Sequence, residues 1–492
     1  MSSALARRTV RGMLWSFLAL GSRRLITLAS LVALARLLAP EHFGVVAFAL
    51  VFITYVETLG DLGTGAALIY WESRREDAAQ VTFFFNLVMG FVWFALASLA
   101  AAPVADFFHS PEGAPILRAM ALSFVIKGLG NTHDALCRKD LRFKARLVPE
   151  AAFATVKGVV AVALAALGWG AWSLVWGQLV GLGTWTLLLW LVQPFRPRLA
   201  LPTDLVRPML AYGRGIVAVN VLAAVVHHAD LLIVGRMLGV ATLGVYQMAT
   251  KIPELTITTV VSTTSKVLFP AFAKLQSESG RLGAAYLTVL RSMALLTVPA
   301  AATLVLVARP LVEVLLGEAW LEAVPILRAL AVYACLRSLG SHAGDLLKAT
   351  GRPGLLAGLG VLKAGLLLPV LLLAARRGAV AVAWAMAGVT LVILLLNLLV
   401  ASRLVDLRAR QLLEALRPGL LVGGAVALAL AGWLTLSPEL GDVVLLLNSL
   451  TLGAAVYLVA LHRLAPEVYT SLRDVLLGDS GHARPAPAAR RG

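Results

Sequence analysis

Two stretches decide the fold: PILRAMALSFVIKGLG, beginning at Pro115, and PILRALAVYACLRSLG, beginning at Pro325. Eight of their sixteen positions are identical, and Lys127 falls opposite Arg337, at an offset of 210 residues. A second pair, ARLLAPEHFGVV from Ala35 and GRMLGVATLGVY from Gly235, keeps Arg, Leu, Gly and Val at an offset of 200. Two matches with nearly the same offset and helical phase mark an internal repeat. Outward from these stretches, apolar runs of about 20 residues recur, each long enough to cross a hydrocarbon core of roughly 30 Å as a helix. They predict fourteen transmembrane helices near 12–38, 43–70, 79–104, 115–136, 147–168, 172–193, 209–237, 243–268, 285–308, 324–347, 354–374, 379–401, 418–436 and 441–461. The fourth then corresponds to the tenth and the first to the seventh. A repeat of six helices is even, so both copies run in the same direction, related by an axis along the membrane normal.

Composition agrees with a membrane protein. Hydrophobic residues make up 60% of the 492 and charged residues 14%, with a mean hydropathy of +0.86, against about 45–50% and 25% in soluble domains. The first apolar segment has no small-residue cleavage site and reads as a spanning helix rather than a signal peptide. Cys137 and Cys335 give neither a disulfide framework nor a metal spacing and are read as small apolar helix residues. The predicted organisation is an N-terminal lobe at 1–193, a cytoplasmic linker at 194–208, a C-terminal lobe at 209–401, a two-helix extension at 402–463 and a cytoplasmic tail at 464–492. The tail beyond Gly478 is rich in Ala, Pro and Arg, a composition expected to be disordered.

The net charge of +17 is an orientation signal. Arg7, Arg8 and Arg11 precede the first helix, and Arg138, Lys139, Arg142, Lys144 and Arg146 follow the fourth. Arg196, Arg198 and Arg207 follow the sixth, and Arg403, Arg408, Arg410 and Arg417 the twelfth. The opposite loops hold only Arg309, Arg376 and Arg377. This asymmetry places both termini in the cytoplasm, and no nucleic-acid partner is expected.

Charges within the spans are the functional signal, because each costs about 2.5–3.5 kcal/mol on insertion scales and persists only facing protein or water. Near mid-depth lie Arg23, Arg24, Lys127, Lys157, Lys251, Arg337 and Lys363, against the acids Glu57, Asp230 and Glu254. Lys157 and Lys363 occupy corresponding helices. Such a set predicts an electropositive cavity suited to an extended anion such as a diphosphate, with the acids as candidates for ion coupling. Internal pairing competes with this role: Arg23 or Arg24 with Glu57, and Lys251 with Glu254 at i,i+3. Arg118 and Arg328, one turn inside the outer surface, are expected to snorkel. His227, His228 and Asp230 resemble a metal cluster, but adjacent histidines point to different faces, so neither a metal nor a cofactor is expected. Trp172, Trp176, Trp185 and Trp190 are expected in an interfacial belt or in packing. No G-x-x-x-x-G-K-[ST] occurs, no nucleophile–base constellation stands out, and no enzyme is expected.

The motifs ARLLAPEHFG, DLGTGAALI from Asp61, RKDLRFKA from Arg138 and GAWSLVWG from Gly170 resemble the polysaccharide transporter family. So do DLLIVGRMLGVATLGVYQMATK from Asp230, FPAFAKLQ from Phe269 and KATGRPG from Lys348. That family contains the Wzx-type O-antigen, capsule and exopolysaccharide flippases, within the MOP superfamily that also holds lipid II flippases and MATE exporters. The resemblance implies two six-helix lobes around a cationic cavity with alternating access, in the bacterial inner membrane. It implies that undecaprenyl-diphosphate-linked oligosaccharide units cross from the cytoplasmic to the periplasmic leaflet, with membrane lipid, a polysaccharide polymerase and a co-polymerase as partners. Arg23 and Arg24 match the region where relatives carry cavity cations. The alternative is a MATE-like multidrug/cation antiporter, for which a more acidic or apolar cavity is expected. A major-facilitator carrier would be expected to carry G-x-x-x-D-[RK]-x-G-[RK] where this chain has WESRREDAAQ.

Overall fold

The computed structural model describes residues 26–466, apart from positions 61, 62, 72, 73, 141, 199–201, 259, 260, 262, 263, 265–267, 269, 270, 277, 438 and 439. Every regular element among the described residues is helical, as required of a chain whose backbone polar groups must be satisfied within lipid. The helices are α1 (Ile26–Leu37), α2 (Pro40–Gly60), α3 (Thr64–Tyr70), α4 (Arg75–Phe107), α5 (Gly113–Lys139), α6 (Phe143–Ala166), α7 (Ala171–Val192), α8 (Thr203–Leu238) and α9 (Val240–Pro253). There follow α10 (Ser279–Leu306), α11 (Ala308–Leu315), α12 (Ala323–Ala349), α13 (Pro353–Ala375), α14 (Ala379–Leu404), α15 (Ala409–Leu436) and α16 (Asp442–Leu464).

Among the described residues, eleven helices are long and apolar enough to cross a membrane. They match the second to sixth and the ninth to fourteenth of the expected spans, while α1, α8 and α9 occupy the places of the first, seventh and eighth. Two differences are local. The helix expected over 43–70 is described as two helices, α2 and α3, with the second starting after Gly63, whose φ of 76° is open to glycine and disfavoured for other residues. The described part of the helix expected over 243–268 is α9, followed at Pro253 by a π-helical turn over Glu254–Thr258.

The chain forms two compact units. The first gathers the described residues up to Leu255 with Leu315–Ile326 and Ala357–Val389; the second gathers Thr256–Val314, Leu327–Leu356 and the described residues from Thr390 onward. Lipid tails are as apolar as leucine, so small residues that admit close backbone approach hold such helices together. In the first unit α4 and α5 cross reciprocally. A Cβ on Gly90 would lie 2.8 Å from the Phe124 carbonyl oxygen, and one on Gly128 2.7 Å from that of Asn86. A polar ladder runs alongside, from the Thr64 hydroxyl to Asn86 Oδ1 (3.2 Å) and from Asn86 Nδ2 to the Thr132 hydroxyl (3.5 Å). In the second unit Gly419 and Gly423 of α15, at i,i+4, meet Ala294 and Val298 of α10, also at i,i+4. That contact docks the two-helix extension onto α10.

The repeat is visible in the packing. A Cβ on Gly44 would overlap the Val240 carbonyl oxygen, and one on Gly244 would overlap that of Pro40; both pairs are 200 residues apart. The preceding positions behave alike. The buried Trp320 donates its indole N–H to the Ala35 carbonyl at 2.9 Å, and the Phe108 ring lies against Gly235, 2.7 Å from where a Cβ would stand. Each aromatic comes from the segment just before its repeat's PILRA stretch. Arg118 and Arg328, expected to snorkel, make the same contact: each Nε donates to a backbone carbonyl of the preceding span, Ser98 at 3.4 Å and Val305 at 3.1 Å.

Candidate functional site

In the first unit, α6 carries Lys157 and α5 carries Lys127. Their positions follow from small residues. Gly177 and Gly181 of α7, one turn apart, seat against α6 at the Lys157 carbonyl (2.8 Å to a Cβ on Gly177) and the Lys157 Cβ (3.0 Å to one on Gly181). Ser30 of α1 packs on Gly158 so closely that a Cβ there would overlap the Ser30 hydroxyl. Gly128 lets α4 approach beside Lys127. Three helices are thereby drawn in around two lysines.

Residues of α1, α5, α6 and α7 line a cavity of about 380 Å³, among them Lys127, Thr27, Glu150, Phe153, Gln178 and Trp185. Lys127 Nζ reaches Glu57 Oε1 of α2 at 2.5 Å, with both side chains about 30% exposed. Lys157 Nζ lies 5.7 Å from the centroid of the Phe153 ring, a cation–π distance. Among the described residues no carboxylate pairs with Lys157. Lys251 itself meets Glu254 at 3.0 Å, the expected i,i+3 pair.

Asp230 is buried on α8, with Oδ2 accepting the Tyr246 hydroxyl at 3.1 Å. His228 stands edge-on to Tyr55 at 6.2 Å. Among the described residues no group of three His, Cys, Asp or Glu is placed to hold a metal. Lys363 is half-buried on α13 of the first unit and Arg337 half-buried on α12 of the second. Arg23 and Arg24 lie outside the described residues; Thr27, which follows them, lines the cavity. The expected pairing of Glu57 with Arg23 or Arg24 lies outside the described residues; among the described residues Glu57 pairs with Lys127.

The sequence reading missed Glu150, Gln178 and Thr27. Glu150 also pairs with Arg146 at 3.1 Å, and Arg146 with the buried Asp134 at 2.5 Å, which ties the cavity to the basic RKDLRFKA turn. The G-x-x-x-G of Gly177 and Gly181 was the available signal for the α6–α7 contact. Of the tryptophans, Trp190 is a packing residue, donating to the Leu129 carbonyl at 2.9 Å, and Trp185 lines the cavity. Cys137 and Cys335 are buried free thiols.

Residues 33–325 match the family described as "polysaccharide biosynthesis protein". The chain is 27% identical over 403 residues to the lipopolysaccharide biosynthesis protein WzxC of Escherichia coli (strain K12), covering 80% of each. It is 26% identical over 327 residues to the succinoglycan biosynthesis transport protein ExoT of Rhizobium meliloti (strain 1021), covering 66% of each. In fold it is similar to the lipid II flippase MurJ in an inward closed conformation, with a TM-score of 0.74 at 13% identity over 94% of this chain and 100% of that one. It is also similar to an inward-facing MATE multidrug transporter of the MOP superfamily, with a TM-score of 0.66 at 14% identity over 78% and 94%. With its many apolar spanning helices, a repeat written into their packing and a cavity among them that Lys127 helps to line, the chain is a multi-pass membrane protein that belongs to the polysaccharide biosynthesis protein family.

Proposed function

We propose that this protein is a flippase that carries undecaprenyl-diphosphate-linked oligosaccharide repeat units from the cytoplasmic to the periplasmic leaflet, for synthesis of an O-antigen, capsule or exopolysaccharide. The observation that carries the reading is Lys157. An ammonium among spanning helices, beside an aromatic ring and with no carboxylate partner among the described residues, is costly unless it faces an anion or water. A diphosphate supplies the missing charge, and Lys127, Lys251, Arg23, Arg24, Lys363 and Arg337 extend the set. Trp185 offers an apolar ring face to a sugar, and the cavity's Gln178 and Thr27 offer hydrogen bonds.

The proposed frame has fourteen spans in the bacterial inner membrane with both termini cytoplasmic. Lobes at 1–193 and 209–401 are joined by a linker at 194–208 and followed by the extension at 402–463 and the tail at 464–492. On this topology the Gly44–Gly244 contact lies at the periplasmic end, and its separation is the step that opens the path outward. In the second unit an apolar groove of about 450 Å³, lined by residues such as Val298, Ala301, Val305, Leu336 and Leu428, suits a polyprenyl chain. A polysaccharide polymerase and co-polymerase are the partners that receive the product.

The buried Asp230, with Glu57 and Glu254, is the place for ion coupling. Asp230 also supports the alternative, a MATE-like multidrug/cation antiporter, since a buried acid suits a cationic cargo. Vesicles containing the purified protein separate the two. A flippase moves a lipid-linked oligosaccharide and leaves a cationic dye where it was. Movement of the dye alone would establish the antiporter.

A further inference from the structure

A second basic cavity, of about 420 Å³, opens at the end of the first unit where the segment after α7 crosses α4. Its lining includes Arg75, Glu76, Gln80, Phe195, Arg196 and Arg198. It is built with care. The buried Gln80 of α4 holds the 196–198 backbone in both senses, donating Nε2 to the Arg196 carbonyl at 3.4 Å and accepting the Arg198 N–H at 2.9 Å. In an extended segment alternate side chains share a face, and burial alternates accordingly: Phe195 and Pro197 are half-buried, Arg196 and Arg198 exposed. Phe195 is fixed beneath by His133 (5.4 Å) and Phe83 (6.2 Å). Arg196 and Arg198 thus leave the same exposed face of a clamped backbone.

Their charges are not satisfied by acids. Arg75 is neutralised by Asp140 at 2.6 Å. Arg196 uses one nitrogen, Nη1, for the carbonyls of Trp190 (3.0 Å), Gln193 (3.3 Å) and Phe195 (2.9 Å). This orients the guanidinium and leaves its other N–H groups for a ligand. Among the described residues neither Arg196 nor Arg198 pairs with a carboxylate. Glu76 contributes one negative charge to the lining, so the mouth keeps an excess of positive charge. Two arginines at a concave surface, one with its guanidinium oriented, are a phosphate-binding arrangement, and on the proposed topology this end meets the cytoplasmic headgroup layer, where basic pockets bind anionic lipid.

We infer that Arg196 and Arg198, held by Gln80, form a phosphate-binding site at this mouth, separate from the lysine cavity and filled by the headgroup phosphate of an anionic phospholipid. The test uses the full-length protein purified in detergent and two probes, a fluorescent phosphatidylglycerol and inorganic pyrophosphate as its competitor. Substituting Arg198→Gln, and Arg196→Gln with Arg198→Gln, should weaken lipid binding by about tenfold or more, as expected for lost charge-assisted hydrogen bonds. Gln80→Ala should weaken it too, although no charge is removed, because it frees the backbone that aligns the pair. Arg408→Gln with Arg410→Gln, which removes two basic residues elsewhere, should leave it unchanged. Displacement by pyrophosphate in the wild type would show a site open to soluble phosphates as well, and its absence one reserved for lipid; loss in the Arg196/Arg198 variant supports the site in either case. Should the double variant fail to elute as a monodisperse species, Arg198→Gln alone decides. Unchanged binding in Arg198→Gln and Gln80→Ala, or an equal loss in the Arg408/Arg410 control, would overturn the inference.

Discussion

Gly44 and Gly244, equivalent positions of the internal repeat 200 residues apart, lie against each other, each facing the carbonyl oxygen at the start of the other's helix. A Cβ on Gly244 would stand 2.7 Å from the Gly44 nitrogen, so no side chain fits at either position. A contact in which position i meets j and the equivalent of i meets the equivalent of j is the signature of a two-fold relation, here between two parts of one chain.

Alanine at either glycine must therefore force α2 and α9 apart. Gly44→Ala and Gly244→Ala should each destabilise this arrangement by about 1–3 kcal/mol, as overpacking does. Gly424→Ala, where a Cβ meets nothing within 4 Å, should be neutral or mildly stabilising through helix propensity. The check is the temperature at which the purified protein loses its monodisperse peak. Equal behaviour of all three variants would contradict the close contact.

The Lys127–Glu57 pair separates structure from transport. Glu57→Gln should lower protein abundance, because it leaves a lysine unpaired among spanning helices. Exchanging the two charges, Lys127→Glu with Glu57→Lys, should restore abundance. If Lys127 also serves an anionic cargo, the exchange will not restore transport per molecule. Full recovery of both would make the pair purely structural. Abundance on immunoblots and export of polysaccharide are the two readouts.

These two contacts show what the sequence could and could not carry. The repeat was legible because the PILRA stretches keep identity at a fixed offset, and Lys251–Glu254 because i,i+3 neighbours on a helix must meet. Glu57 meets Lys127, 70 residues away, a pair the sequence did not suggest, while its expected pairing with Arg23 or Arg24 lies outside the described residues. Such a choice depends on which helices lie together, and that is set by the small residues Gly90, Gly128, Gly177 and Gly181. A glycine within an apolar run gives no sign of its partner. The left-handed turn at Gly63 could have been suspected from the glycines of GDLGTG, whereas the π-turn after Pro253 has only the proline as a clue.

Topology gives an independent check. Reporter fusions after Ser110, Gly239 and Ser437 should report periplasm, and fusions after Arg142, Arg198 and Arg408 cytoplasm. One inverted site would mean a miscounted span. Inversion of all six would contradict the orientation.

Replacing Arg23 and Arg24 together by Ala should abolish polysaccharide export while leaving insertion intact, since removing charges from a span lowers its insertion cost. Wild-type polymer at the cell surface would remove both from the cargo path.

The central claim is that lysines of the first unit hold a diphosphate in transit, and Lys157 tests it most directly because no acid among the described residues accounts for its charge. The measurement is transport of a lipid-linked oligosaccharide in reconstituted vesicles, normalised to inserted protein. The comparison covers the wild type, Lys157→Gln, Lys157→Arg, and the Lys127→Ala and Arg337→Ala single and double variants. Lys157→Gln should lose most activity per molecule and Lys157→Arg should retain part of it. Lys127→Ala and Arg337→Ala should each cost part of the activity, and together much more. Full transport per molecule by Lys157→Gln would contradict the account.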